Sequence, residues 1–235
     1  MAKDLLLEIG IEEIPARFMD PALAQMAELA QTKLKAANLA FKAVKTFGTP
    51  RRLTLIVEAL AEEQADVVVE MKGPAQKAAY DAAGQPAKAL QGFCRSQGVA
   101  PENVTVKELK GVPYVYAVKE KKGEPAVKVL PSLLAEIVHK IYFPKPMRWG
   151  YEEMRFARPI RWIVSLFGEA VLPLELAKVK AGRLSRGHRF LGSQRVEIKN
   201  AAAYAETLAK EYVIVDQNER KAKAWQSIQA VASQA

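Results

Sequence analysis

Leu53, Leu55 and Val57 alternate with Thr54, Ile56 and Glu58, a period of two that predicts a half-buried strand over 53–58. Short apolar runs predict further strands at 4–9, 41–47 and 67–69. The rhythm changes at Leu23, Met26, Ala27, Ala30, Leu34 and Ala37, which keep helical period behind Asp20-Pro21, an N-cap followed by proline. Two shorter helices are predicted at 75–83 and 86–97, ended by Gly84 and Gly98. A hairpin follows over 104–109 and 114–119, turning at Gly111-Val112-Pro113. Leu130, Leu133, Leu134, Ile137, Val138 and Ile141 form the strongest helical stripe, with Pro131 tolerable only in its first turn. A second hairpin, 160–167 with 170–176, turns at Gly168-Glu169. Asn200 caps a helix over 201–210, and 212–215 reads as a strand. Asp216 and Glu219 then open a helix whose stripe of Trp225, Ile228, Val231 and Ala232 is still in phase at Ala235. That reads as a helix running on into further domains.

These elements predict an α+β fold of mixed or antiparallel sheets with packed helices. Residues 1–70 with 143–215 would form a discontinuous core, 73–142 a helix-rich insertion, and 216–235 the start of the onward helix.

One stretch fits neither rhythm. Phe143–Trp162, FPKPMRWGYEEMRFARPIRW, carries three prolines that exclude a helix. Its rings, Phe143, Trp149, Tyr151, Phe156 and Trp162, interleave with Lys145, Arg148, Arg155, Arg158 and Arg161. Arginine forks suit phosphate and rings suit bases, although the same residues also serve as core anchors with arginine stems over them. Trp149, before Gly150, is expected to be buried and to lock a turn, with Pro159 a further structural element and Arg148 pointing away.

The charge sharpens this. The chain holds 35 basic and 26 acidic residues, net +9, and eleven basic against four acidic residues lie between Tyr142 and Arg195. Residues 178–195, KVKAGRLSRGHRFLGSQR, have six basic residues and no acidic one. Gly182, Gly187 and Gly192 would let a ligand approach, and Ser185 and Ser193 would donate hydroxyls. The candidate polyanion-binding residues are therefore Lys145, Arg148, Arg158, Arg183, Arg186, His188 and Arg189. His188 has a second reading, a structural hydrogen bond. Glu12 and Glu13 have two readings as well: acid–base chemistry, or the commoner one of complementing a helix dipole.

Other chemistry is thinly represented. One cysteine (Cys94, read as a packed core residue) and two histidines (His139 and His188) exclude an internal disulfide and argue against a zinc site. No phosphate-binding loop motif is present, and no apolar run approaches a membrane span. A reducing cytoplasm is the expected location.

Seven segments carry a resemblance, in order: LLLEIGIEEIP (5–15), TPRRL (49–53), KGPA (72–75), GF (92–93), KPMRWG (145–150), FARPI (156–160) and RGHRF (186–190). Together they resemble the beginning of the β subunit of the bacterial two-subunit glycyl–tRNA synthetase. That family's β subunit continues into an HD-like and an anticodon-binding region. The resemblance implies a cytoplasmic α2β2 ligase charging tRNA(Gly) with glycine, with ATP and Mg used by the holoenzyme and none held here. Adenylate chemistry would belong to the class II α subunit, so this chain is expected to be inactive alone, with no catalytic residue and no metal of its own. Its expected partners are the α subunit and tRNA(Gly), not a membrane. By fold-level analogy it is similar to B3/B4-like accessory domains. Read from its residues alone, the chain also suits a stand-alone RNA-binding module or a scaffold with an incidental basic surface.

Overall fold

The computed structural model describes residues 2–81, 84–150 and 153–233. In chain order it contains β1 (Ala2–Ile11), α1 (Met19–Ala36), β2 (Ala43–Thr49), β3 (Arg52–Ala61), β4 (Val67–Ala75), α2 (Gln76–Ala79) and α3 (Lys88–Gln97). These are followed by β5 (Val104–Leu109), β6 (Val112–Lys121), α4 (Ala126–Lys140), β7 (Ile160–Phe167), β8 (Ala170–Val171) and β9 (Glu175–Leu176). The last elements are β10 (Val179–Gly182), β11 (Leu184–Ser185), β12 (Val196–Glu197), α5 (Tyr204–Lys210) and α6 (Gln217–Ala232). The chain is α+β and divides into two compact units, residues 1–64 with 124–235, and residues 65–123.

The first unit is built on a mixed sheet in the order β2-β3-β1-β7-β10-β9, with β8 on β7. All its pairings are antiparallel except β7 with β10. β1 is central and buried on both faces from Leu5 onward, which is why its sequence reads as an apolar run rather than an alternation. Leu5, Leu7, Ile9 and Ile11 pack in one layer with the apolar faces of α1 and α4. Leu6 points into a second layer closed by Trp162, Val164, Ile198, Tyr204 and Leu208. β3 is likewise buried from Arg52 to Val57, not half-buried, because this second layer covers its other face.

Two pins set the entry to the proline-rich stretch. Lys33 of α1 pairs with Glu136 of α4, and Gln25 exchanges hydrogen bonds with the backbone of Tyr142 (2.9 and 3.1 Å). The described residues of the stretch then run without helix, and Met147 and Phe156 exchange backbone hydrogen bonds across its neck (2.8 and 3.2 Å). Phe143 and Phe156 are buried edge to face, 4.8 Å between centroids. Tyr151 lies outside the described residues. Trp149 is half-buried against the main core rather than enclosed, because the prolines hold its turn at the rim, and Arg148 is exposed. A fully enclosed indole would cost about 3–5 kcal/mol on truncation. For Trp149→Ala we expect about 1–2 kcal/mol, read as a lowered urea midpoint with an unchanged m-value.

The second unit is a three-stranded antiparallel sheet, β4-β6-β5, with α2 and α3 on one face around Ala79, Leu90, Cys94 and Val115. Cys94 is buried there, as expected. The division places the inserted unit at 65–123 rather than 73–142, since β4 pairs with β6 and α4 buries its stripe in the first unit. The chain leaves and re-enters the first unit through a short ladder: Ala126 N donates to Glu62 O (2.8 Å) and Gln64 N to Glu124 O (3.0 Å).

Several local expectations change. Asp20 lies in the first turn of α1, which begins at Met19 after a 3-10 turn, so it is not the N-cap. Only Gln76–Ala79 of the expected 75–83 helix is helical, and Ala82 and Ala83 lie outside the described residues. The β5–β6 turn is Lys110-Gly111, both with positive φ, the geometry that matches strand twist. Pro131 sits past the first turn of α4, which starts five residues earlier. Residues 212–215 form no strand. The capping of α6 is as expected: Asp216 accepts from the N–H groups of Asn218 and Glu219 (2.8 and 3.3 Å). Trp225, Ile228 and Val231 are all exposed on α6. No helix among the described residues is long and apolar enough to cross a membrane.

Candidate nucleic-acid interface

The site begins with strand register. Gly10 on β1 stands between Arg52 on β3 and Trp162 on β7. Without a side chain there, the Trp162 indole lies across the strand; a Cβ at Gly10 would overlap the ring. Three guanidinium groups then gather around that indole, Arg186 at 4.8 Å from the ring centroid, Arg51 at 5.7 Å and Arg52 at 5.8 Å. Each gains cation–π attraction, while the three repel one another.

At the edge of the ring sits Glu8, fully buried. Its Oε1 accepts from Trp162 Nε1 and from Ser185 Oγ (2.6 Å), and its Oε2 accepts from the Tyr204 hydroxyl. Arg52, 3% exposed, approaches Oε2 at 3.6 Å and donates to the Arg186 carbonyl at 2.7 Å. Burial first, and then the nearby Glu8, hold the Tyr204 phenol well above its ordinary pKa, so it remains a donor. One buried carboxyl thus anchors β7, α5 and the segment entering the basic loop.

The loop at 186–193 is folded on itself. His188 Nδ1 accepts from the N–H groups of Phe190 and Leu191 (3.3 and 3.2 Å), which leaves its proton on Nε2. Gly187 and Gly192 press against Glu211, leaving no room for a Cβ, so these glycines admit the chain itself rather than a ligand. Ser185 and Ser193 are also engaged internally, by Glu8 and by the Arg195 carbonyl.

Glu12 and Glu13 overhang the arginines. Glu12 N bonds to Pro159 O (3.2 Å), and Ile11 and Ile14 bond to the carbonyls of Arg51 and Pro50 (both 2.9 Å). Glu12 meets Arg161 at 3.1 Å but Arg189 only at 3.7 Å and Arg51 at 3.8 Å; Glu13 meets Arg189 at 3.5 Å. Burial, and then the charge of Arg189, lower the Arg51 pKa from its ordinary value, though the group stays charged at any working pH. Behind them opens a cleft of about 470 Å³, lined by Arg51, Arg189, Phe190, Tyr212 and Arg220 among others. Among the described residues no group of histidine, cysteine and carboxylate side chains could hold a metal ion.

The expected site residues therefore separate. His188 and Arg189 line this cleft, and Arg186 lies beside it over Trp162, close enough to act on Arg51. Arg183 faces elsewhere, donating to Glu169 O (2.9 Å) and pairing loosely with Glu197. Arg158 donates to its neighbour's carbonyl (2.8 Å), and Lys145 lines a separate small cleft with Arg17 and Phe18. Pro159 lends its carbonyl to Glu12, and Gly150 has φ +56°, as its turn requires.

The profile of the family described as glycyl-tRNA synthetase beta subunit matches residues 5–235. The chain belongs to the glycyl-tRNA synthetase β subunit family. It is 52% identical over 233 residues to the glycine–tRNA ligase β subunit of Moorella thermoacetica, covering 99% of this chain and 34% of that protein. It is 48% identical to that of Desulforamulus reducens over the same shares, and 45% identical over 221 residues to that of Listeria monocytogenes, there covering 94% of this chain and 32% of the relative. The chain therefore spans about a third of the length of the curated relatives it matches. In this β-subunit chain the resembling segments have distinct places. LLLEIGIEEIP, TPRRL and RGHRF converge here, lining the cleft with Glu13, Arg51, Arg52 and Arg189, while Glu8 and Glu12 face those arginines from beside it. KGPA and GF meet in the inserted unit, where Gly73 passes directly against the Phe93 ring.

Sequence reasoning missed Glu8, Arg51 and Arg52 as site residues, Trp162 as the ring beneath the arginines, Tyr204 and Arg220. Glu8 had a visible signal, a lone carboxyl inside an apolar strand.

Proposed function

We propose that this chain is the N-terminal part of a glycine–tRNA ligase β subunit, binding tRNA(Gly) through the arginine cluster over Trp162 and assembling with the α subunit. The enzyme is a cytoplasmic α2β2 ligase that uses ATP and Mg. Its class II adenylation site lies on α, so this portion alone is inactive. The observation that carries the reading is the grouping of Arg51, Arg186 and Arg189 with only loosely placed carboxylates opposite them. Such a cluster gains most from a polyanion that can enter its forks.

Binding of tRNA by the full-length subunit, followed against salt, tests it. Arg186→Ala and Arg189→Ala are each expected to reduce the log–log salt slope by about 1, the effect of removing a single phosphate partner. Arg183→Ala, held by Glu169 and Glu197, should leave the slope unchanged. Slopes unchanged in both cleft variants would make the basic surface incidental. Capture of α by the full-length subunit tests assembly.

A further inference from the structure

Arg186, beside the cleft, is the least satisfied of these arginines. The residue is half-buried, and its guanidinium over Trp162 makes, among the described residues, no hydrogen bond and no ion pair. Arg51 and Arg189 beside it reach their carboxylates only at 3.5–3.8 Å, too long for good hydrogen bonds. The three lie close enough to act on one another's charge and together offer an incompletely filled set of fork donors. A phosphate accepts from several forks at once, and a duplex backbone lying over the surface would need nothing more than that.

The cleft offers more. Two rings stand at its wall with little cover, Phe190 84% exposed at the loop tip and Tyr212 64% exposed just past the chain end of α5. The loop that carries Phe190 is held by its own hydrogen bonds, including those to His188 Nδ1, so the ring is presented rather than left over. A volume of about 470 Å³ falls in the range of small-ligand sites and admits one nucleotide, not a paired helix. Bases within a duplex are stacked and closed to such rings, whereas an unpaired base lies flat on them.

We infer that the cleft is a seat for a single unpaired nucleotide, with its phosphate on Arg51 and Arg189, Arg186 adding charge from beside them, and its base against Phe190 or Tyr212. This deepens the tRNA-binding reading and rests on it. The seat reads base planarity plus one phosphate, so an unpaired residue of the RNA chain is its natural occupant; a free nucleoside monophosphate shares the chemistry.

The test uses the full-length β subunit and four probes: inorganic phosphate, cytidine monophosphate, a single-stranded RNA trinucleotide and an RNA duplex. The trinucleotide should bind more tightly than phosphate, and Phe190→Ala or Tyr212→Ala should weaken it about 5- to 100-fold with no change in salt slope, as expected when one stacking ring is removed. Arg186→Ala should lower the slope by about 1. The duplex should be insensitive to both ring variants. Cytidine monophosphate binding as tightly as the trinucleotide, and lost with the same variants, would support the seat while assigning it to free nucleotide. Trinucleotide binding indifferent to both rings, or a duplex equally sensitive to them, would overturn the inference. If tRNA still binds with its normal salt slope in that case, the seat fails while the tRNA-binding reading stands; if tRNA fails to bind as well, both fall.

Discussion

Replacing Glu8 by alanine should cost about 3–5 kcal/mol, the usual penalty for removing one member of a buried, hydrogen-bonded charge pair. The change strips an acceptor from Trp162 Nε1, Ser185 Oγ and the Tyr204 hydroxyl together. It also leaves Arg52, 3% exposed, without its carboxylate. Tyr204 retains Thr54 as a partner at 2.8 Å, so its share of the loss is smallest. Domains of this size have roughly 5–15 kcal/mol in all, so the variant should be partly unfolded at moderate temperature. Glu8→Gln keeps the shape and some of the bonds, and should fall between the two. Urea unfolding of all three proteins measures this, with indole fluorescence following Trp162. A Glu8→Ala protein as stable as the parent would mean that the network is redundant.

Gly10→Ala should be nearly as damaging by a different route. The added methyl falls inside the Trp162 ring, which cannot retreat because Glu8 holds its Nε1 and the arginines crowd its face. Overpacking of this kind costs about 1–3 kcal/mol, and breaking the indole hydrogen bond adds about 1–2 more. The cleft should be disturbed along with stability, since Arg51, Arg52 and Arg186 all rest on the displaced ring. Near-ultraviolet circular dichroism should show a changed tryptophan environment, and a denaturation midpoint should show the loss. Unchanged spectra and midpoint would show that the ring has another place to go.

Those two residues show what was legible in the sequence. Period and breakers located α1, α4, the β5–β6 hairpin and α6, because each buries one face or stops at a cap or turn signal. An apolar run located β1 and alternation located β3, but alternation read β3 as half-buried, whereas both strands are covered on both faces. The basic loop is visible as charge, but Gly187 and Gly192, which suggest a ligand's approach, accommodate Glu211 instead, while Gly182 stands in open space. Arg52 and Trp162, far apart in the chain, face one another only because Gly10 of β1 stands between them. Such three-strand relations follow from pairing order, which local pattern does not encode.

The ladder that joins residues 62–64 to 124–126 has a bearing on how the first unit accommodates change. Once Gln64 and Glu124 are held together, the segment between them is a closed loop, and its closure entropy grows only as the logarithm of its length, about 0.6 kcal/mol per doubling. Lengthening, shortening or exchanging that segment therefore changes the balance of the core by little. The junction is a natural port for grafting: a reporter domain with closely spaced ends could replace 65–123 and leave the arginine cleft, built wholly from the other unit, in register.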